Sequence, residues 1–419
     1  MSDNYFKNEG NINKVENLDL FGGNEQFDSS LTKTQTYLTN QAYEWEGMLE
    51  YDNVFQEGPE YSITLKFRNE QDFLKCKDEI RSKLYNGEVF LNGTQDKKFK
   101  QAWYPLREQP SDHVYISTNP KNPRFPIYIV SKGRYENNPT SRALMEMNVP
   151  FRVVVEEPEF DDYAKLVGEE RLLVLPEKYK QEYDTFWDDK DGRVGPGAAR
   201  NFAWDHSIGE GHDWHWVMDD NIGHFYRFNK NVRSPVKDGT LFYACEDFVL
   251  RYENIAQAGP NYTTFCPPAE GRPPIMMNTR IYSCLLIRND MPYRWRGRYN
   301  EDTDLSLRML KDGLCTVQFN FLLQGKMGTQ QLKGGNTEEF YANEGTKNKS
   351  QMLEDMHPDV ASVVYKFGRW HHHVDYTPFK NNKLKRKEGI IIPDSNDNYD
   401  IIKITKEEYG KRISTKANS

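Results

Sequence analysis

Gly195-Pro-Gly-Ala-Ala-Arg200-Asn201-Phe-Ala-Trp204 and, after a polar loop, Trp214-His-Trp-Val-Met218-Asp219-Asp220-Asn221 decide how this chain folds. The first is a glycine-rich turn running into a helix. The second is an apolar, aromatic run without the polar alternation of a half-exposed strand, so it reads as a strand covered on both faces. It stops at two adjacent carboxylates. Ligands of α/β sheets bind beyond the carboxyl ends of the strands, which puts Asp219 and Asp220 at the ligand edge. Side by side and desolvated they repel, and a cation or donor groups must relieve the cost. Mg2+ and Mn2+ favour such oxygen ligands, usually shared with a substrate's phosphates. An isolated Asp-Asp-Asn is also an ordinary turn, so the surrounding sequence has to decide.

That context is a βα series. Pro126-Ile-Tyr-Ile-Val130 predicts a near-continuous apolar strand ending in Ser131-Lys132-Gly133-Arg134, and a helix follows over roughly 139–147 with Pro139 in its first turn. Phe151-Arg-Val-Val-Val155 is the next strand, ending at Glu156-Glu157; a helix near 160–167 leads to the strand Arg171-Leu-Leu-Val-Leu175. Apolar strands alternating with short helices predict an α/β fold with a mostly parallel sheet covered by helices. Downstream, Tyr282-Ser-Cys-Leu-Leu-Ile287 reads as a strand, and Arg298-Tyr-Asn300-Glu301-Asp302-Thr303-Asp304-Leu305 opens a helix. Carboxylates at a helix start are favoured by the helix dipole, which is the plain reading of Glu301 and Asp302. Held near the first acidic pair, they would also supply a general base.

Composition narrows the class. The 419 residues carry 55 Lys and Arg against 63 Asp and Glu, a net charge of −8. Aromatics at 13% argue for a packed core despite a mean hydropathy of −0.85. An acidic balance speaks against a protein that coats nucleic acid by bulk charge, while a local basic patch stays compatible with it. No apolar run approaches the ~20 residues that span a bilayer. The N-terminal stretch lacks the basic and apolar regions of a signal peptide, so no membrane association is expected. Cys76, Cys245, Cys266, Cys284 and Cys315 are odd in number and contain no CxxC, which fits neither a disulfide framework nor a zinc ribbon. They predict a cytoplasmic protein with reduced thiols.

The ordered pattern of a Gly-rich turn with Ala-Arg-Asn, a hydrophobic strand ending in Asp-Asp, and Glu-Asp-x-x-Leu heading a helix resembles the nucleotide-sugar-dependent glycosyltransferases of the GT-A fold. Within that group, PIYIVSKGRY (126–135), VVVEEPEFDDYA (153–164), GPGAARN (195–201), WVMDDNI (216–222) and YNEDTDLSLRML (299–310) resemble the TET-associated glycosyltransferases. These are largely bacteriophage enzymes proposed to attach sugars to 5-hydroxymethylated pyrimidines in DNA. The resemblance covers roughly residues 120–345. It implies a GT-A-like sheet, a nucleotide-sugar donor (UDP being the family-typical carrier), Mn2+ or Mg2+, and DNA carrying 5-hydroxymethylcytosine or 5-hydroxymethyluracil as acceptor, in a bacterial host cytoplasm if phage-encoded. Residue by residue, it puts Ser131, Lys132, Gly133, Arg134, Glu156 and Glu157 beside the nucleotide. Arg200 and Asn201 approach the nucleotide or diphosphate, and Asp219 and Asp220 bridge the metal to the diphosphate. Asp302, with Glu301 beside it, takes the acceptor's proton. The usual metal motif has carboxylates at its first and third positions, whereas Asn221 stands third here. Either Asp220 holds the ion alone, or the register shifts by one with Met218 first. An inverting displacement suits a single such base, and a retaining course stays open.

Tyr293-Arg294-Trp295-Arg296-Gly297-Arg298-Tyr299 interleaves rings and guanidiniums as a base-stacking, phosphate-pairing segment does, so Arg294, Trp295, Arg296 and Arg298 are the candidate acceptor contacts. Packing on the domain is the structural alternative. Lys333-Gly-Gly-Asn336 reads as a loop that can close over the sugar. His371, His372 and His373 on a strand point to alternating faces and cannot all ligate one ion, while the resemblance to GT-A enzymes, some of which use a late His as a third metal ligand, implies that one of them could serve. Lys380, Lys383, Lys385, Arg386 and Lys387 form a basic run that reads as a linker or a phosphate track. The expected organisation is an N-terminal arm over 1–40, a small α+β module over 41–116, the GT-A-like domain over 117–379, and a basic linker and tail over 380–419. Two rival functions share these features: a glycosyltransferase with a glycan, protein or small-molecule acceptor, and a metal-dependent nucleotidyltransferase.

Overall fold

The computed structural model describes residues 44–52, 67–76, 90–91, 102–103, 112–186, 195–267, 272–326, 347–366, 368–393 and 395–417. After a strand β1 (His113–Ser117), the apolar runs become β2 (Ile127–Val130), β3 (Arg152–Val155), β4 (Leu172–Val174) and β5 (Trp214–Asp219). The chain continues through β6 (Ile222–Asn229), β7 (Val232–Pro235), β8 (Ile255–Tyr262), β9 (Ile275–Met277), β10 (Cys284–Arg288) and β11 (Cys315–Lys326). β2 to β11 form one ten-stranded sheet in the order β4-β3-β2-β5-β10-β8-β11-β6-β7, with β9 on β11. Pairing from β4 through β5 is parallel. Beyond β5 antiparallel partners are interleaved, with β8 parallel to β11. This is the expected GT-A-like α/β architecture, its parallel half built by the βα series and its second half mixed.

The helices are α1 (Pro139–Glu146), α2 (Phe160–Val167), α3 (Glu177–Gln181), α4 (Gly197–Gly209), α5 (Thr240–Leu250) and α6 (Glu301–Lys311). Strand alternation sends Ile127 and Ile129 of β2, and Trp214, Trp216 and Met218 of β5, into one core layer with α1, α2 and α5. Tyr128, Val130 and Val217 point the other way, against Ala198, Ala203 and Trp204 of α4 and Leu305 and Met309 of α6. Both faces are therefore covered, which is why these strands lack polar alternation. α1 starts with Pro139 in its first turn, and the Asn138 carboxamide oxygen accepts from Ser141 N at 3.0 Å.

Described segments from both ends of the sequence join this core. Trp45, Met48 and Leu49 are buried in the same layer as β5 and α5, and the Trp45 ring lies 4.8 Å from that of Phe321. α7 (Lys347–Met356) packs against a hairpin of β12 (Ala361–Lys366) and β13 (Arg369–Val374). β14 (Ile401–Thr405) pairs antiparallel with β1 ahead of α8 (Lys406–Ala417), and Tyr399 is buried in the main core. A boundary at 116/117 thus cuts β1, and the segment read as a tail supplies that strand's partner. The basic run is no free linker either. Its backbone is laid along residues 251–254 by Lys385 N to Asn254 Oδ1 at 2.8 Å and Lys387 N to Arg251 O at 2.9 Å, and Arg386 meets Glu44.

Of the 41–116 module, residues 70–76 are helical and Phe90–Leu91 pairs with Ala102–Trp103; much of the rest of it falls outside the described residues, as does the 1–40 arm. All five cysteines are free. Among the described residues no helix is long and apolar enough to cross a membrane.

Trp45→Ala should cost the whole sheet fold about 3–5 kcal/mol, as removing a buried aromatic does. Urea denaturation followed by fluorescence should show one transition at lower urea. A main transition left unmoved would mean that the segment around Trp45 is a separate unit.

Candidate active site

The carboxyl ends of β2, β3 and β5 open into a cleft of about 360 Å3, lined also by the ends of β8 and β11, the start of β10 and the N-terminus of α6. Asp219 is its centre. Arg200 Nη2 donates to Asp219 Oδ1 at 2.7 Å, while Lys326 Nζ and Ser283 Oγ donate to Oδ2, each at 2.7 Å. Burial alone would raise the Asp219 carboxyl, but Lys326 and Arg200 outweigh it and hold it well below the usual range. Asp220, 5% exposed, takes Ser131 Oγ at 2.7 Å on Oδ2 and the Arg134 guanidinium on Oδ1. Here burial wins and the carboxyl is raised. One residue apart, the two carboxyls are shifted in opposite directions.

The turn that presents them is clamped from α1. Thr140 Oγ1 donates to Asp219 O at 2.6 Å and accepts from Ile222 N at 2.8 Å. Ser131 Oγ also bonds Tyr163 Oη at 2.6 Å and accepts from Asn138 Nδ2 at 3.1 Å, which ties the end of β2 to α1 and α2. Ser283 lies in the left-handed region at φ 61°, a conformation that costs a non-glycine residue about 1–2 kcal/mol. It is held there by Asp219 N to Ser283 O at 2.7 Å and by Lys326 Nζ to its Oγ at 2.7 Å.

Arg200 joins this centre to the second acidic pair. Its Nη1 donates to Glu301 Oε1 at 2.8 Å, and its guanidinium stacks 4.6 Å from the Trp295 ring centre. Glu301 and Asp302 begin α6, where unpaired backbone N–H groups and the dipole favour negative charge. The Asp302 carboxyl accepts from Thr303 N at 2.8 Å and is pushed up to about 7, by burial first and by the Glu301 charge next. Asn300, at φ 55°, turns its carboxamide to Lys349 O at 2.6 Å, which fixes the start of α7 beside the cleft.

Most of the nucleotide-side residues named by sequence converge here with the expected base: Ser131, Lys132, Arg134, Glu156, Arg200, Asp219 and Asp220 line the cleft together with Glu301 and Asp302. Lys132 pairs with Glu156 at 3.2 Å. Gly133 donates its N–H to Glu159, and Glu157 begins a short 3-10 turn.

Asn201 and three of the candidate acceptor contacts are placed otherwise. Asn201 faces the 291–300 loop: its Nδ2 donates to Trp295 O at 3.0 Å and its Oδ1 accepts from Trp295 N at 2.8 Å. Trp295 is 1% exposed, so its ring is spent on Arg200 and the core. Arg294 is paired with Asp205 and Arg296 with the buried Asp304; Arg298 alone of the four lines the cleft. The interleaved segment is the scaffold under the site. Gly197 helps seat it, since a Cβ there would collide with Tyr183, whose hydroxyl donates to Gly297 O at 2.8 Å.

Residues that sequence reading missed are Lys326, Ser283, Tyr262, Tyr282, Lys180 and Lys349. Lys326 ends a long apolar strand, the one signal available for it; the others depend on strand pairing. Of the three histidines, His372 lines the cleft, buried and pushed well below its ordinary value by desolvation. The loop at 333–336 lies outside the described residues.

A divalent ion does not fit this donor set. All four oxygens of Asp219 and Asp220 already accept hydrogen bonds, and three of the donors are cationic. Among the described residues no three His, Cys, Asp or Glu side chains converge closely enough to share an ion.

The family model for TET-Associated Glycosyltransferase matches residues 125–335, half of the chain and the whole of the parallel half-sheet and both acidic pairs. The chain belongs to this family. Its reaction class is therefore glycosyl transfer, and most of the residues that line the cleft lie within the matched stretch. No curated protein matches the chain.

Asn201→Ala should act on the scaffold. It removes two hydrogen bonds to a buried backbone, and a loss of about 1–3 kcal/mol in thermal unfolding is expected with the donor KM little changed. A raised donor KM at unchanged stability would return Asn201 to the donor side.

Proposed function

We propose that this glycosyltransferase moves a sugar from a nucleotide-sugar, UDP being the carrier the family resemblance favours, onto the hydroxymethyl group of 5-hydroxymethylcytosine or 5-hydroxymethyluracil in DNA. The observation that carries the donor half is the charge of the cleft. On a chain of net charge −8, seven Lys and Arg face five Asp and Glu there. Such an excess suits a diphosphate, and preorganised cations stabilise charge that develops on a leaving group. Asp302 supplies the other half. A carboxyl raised to about 7 is poised to take a proton near neutral pH.

In this reading the acceptor hydroxyl attacks the anomeric carbon, Asp302 takes its proton, and the bond to the diphosphate breaks with its electron pair going to the phosphate oxygen. Acting on duplex requires the base to be extruded. A stacking surface for the strand is available at the cleft rim. On the β12–β13 hairpin, Tyr365 lies directly across from Trp370 on the face that carries cleft-lining His372. The two rings are 59% and 38% exposed and 5.0 Å apart, and Lys347 Nζ sits 5.4 Å from the Trp370 ring centre. Exposed rings beside lysines fit single-stranded nucleic acid, at about 1–3 kcal/mol per stacked base.

The test is mass spectrometry of nucleosides from hydroxymethylated DNA incubated with the enzyme and a panel of nucleotide-sugars. A sugar mass on the modified pyrimidine is expected. Asp302→Asn should lower kcat at least ~100-fold, and Trp370→Ala should raise the KM for DNA several-fold with the donor KM unchanged. Nucleotide-sugar hydrolysis with unmodified DNA would overturn the acceptor, and a nucleotide mass on the product would mean nucleotidyl transfer.

The pH dependence has a definite sign. Asp302 works deprotonated, so kcat/KM should climb with pH and level off above about 7. Glu301→Gln removes a charge that raises Asp302 and should shift this limb to lower pH; a limb unmoved in that variant would assign it to another group.

A further inference from the structure

We infer that Lys326, with Arg200 and Arg134, provides the counter-charge for the donor's diphosphate in place of a divalent ion. The inference rests on the nucleotide-sugar reading above and concerns how that donor is held. Lys326 ends β11, antiparallel to β6, and the register sets it opposite Ile222, just past Asp219-Asp220-Asn221. Its ammonium group is 2.7 Å from Asp219 Oδ2 and 2.7 Å from Ser283 Oγ, and its Nζ lies 5.9 Å from the Tyr262 ring centre. A metal bridging Asp219 to a phosphate would need that same oxygen edge. Two like charges cannot share it without a large penalty in a desolvated site. Arg134 holds the corresponding edge of Asp220, and Arg200 the remaining oxygen of Asp219. The acids position three cations, and the cations are what the diphosphate meets.

The chemistry balances without a metal. As the bond from the acceptor oxygen to the anomeric carbon forms, the bond from that carbon to the terminal phosphate oxygen breaks, and the electron pair stays on the phosphate. The hydroxyl proton goes to Asp302. Lys326 remains an ammonium ion throughout and neutralises the charge that grows on the leaving group.

The test uses the wild-type full chain. Isothermal titration with UDP, GDP, ADP, CDP and dTDP in EDTA, and again with Mn2+ or Mg2+, should find at least one nucleotide whose Kd differs less than about threefold between the two conditions. Mn2+ followed by electron paramagnetic resonance should be taken up no further by protein and that nucleotide together than by the nucleotide alone. Lys326→Ala should weaken the nucleotide at least tenfold without rescue by Mn2+, and Lys326→Arg should retain binding. Binding that needs the ion, with one further Mn2+ captured per protein beyond what the nucleotide alone takes up, would overturn the inference and leave the donor reading intact; that comparison needs no variant and stands even if Lys326→Ala misfolds. Absence of binding by every nucleotide, with or without metal, would overturn both.

Discussion

Compensation of four carboxylates in one desolvated cleft is the constraint on which the rest of this structure depends. Asp219, Asp220, Glu301 and Asp302 come from two distant parts of the chain, and α/β topology brings their backbone ends to one sheet edge. Arg200 binds across both pairs, 2.7 Å from Asp219 and 2.8 Å from Glu301, and is itself 3% exposed. Removing one member of such a buried network typically costs about 3–5 kcal/mol, because the partners are left charged and unpaired. The glycine-rich turn, the clamp from Thr140 and the loop that carries Trp295 all serve to keep that guanidinium where it is.

The same arrangement separates roles among like residues. Asp219 is surrounded by cations and stays ionised, while Asp302 has a carboxylate neighbour and is raised into the neutral range. Environments that push paired acids apart are how one site holds both a permanent anion and a working base. Asp219 organises Lys326 and Ser283, and in the proposed reaction Asp302 is left to exchange a proton.

Much of this was legible in the sequence where the information is local. Continuous apolar runs such as Ile127–Val130 and Trp214–Met218 gave the doubly covered strands, and Pro139, Gly195-Pro-Gly197 and Glu301-Asp302 marked helix starts, since caps and periodicity depend on near neighbours. Ordered motifs identified the family. What stayed hidden depends on pairing between distant segments. Ser283 reaches Asp219 because β10 runs antiparallel to β5, and Lys326 does so through the register of β11 with β6. The segment Tyr293–Tyr299 misled for a related reason: composition reports which groups are present, whereas Trp295 and the partners of Arg294 and Arg296 are settled by burial. Likewise the basic run after residue 379 looks like a linker until its backbone is seen bonded to residues 251–254.

A crystal structure of the enzyme with a non-hydrolysable nucleotide-sugar bears most directly on the central claim, that this charge-compensated cleft receives the diphosphate and aims the sugar at Asp302. The account requires the phosphate oxygens within hydrogen-bonding distance of Lys326 Nζ and Arg200, and the anomeric carbon facing the Asp302 carboxylate with room between them for a hydroxyl. A diphosphate bound away from Lys326, or a sugar turned so that Asp302 cannot address the anomeric carbon, would contradict it.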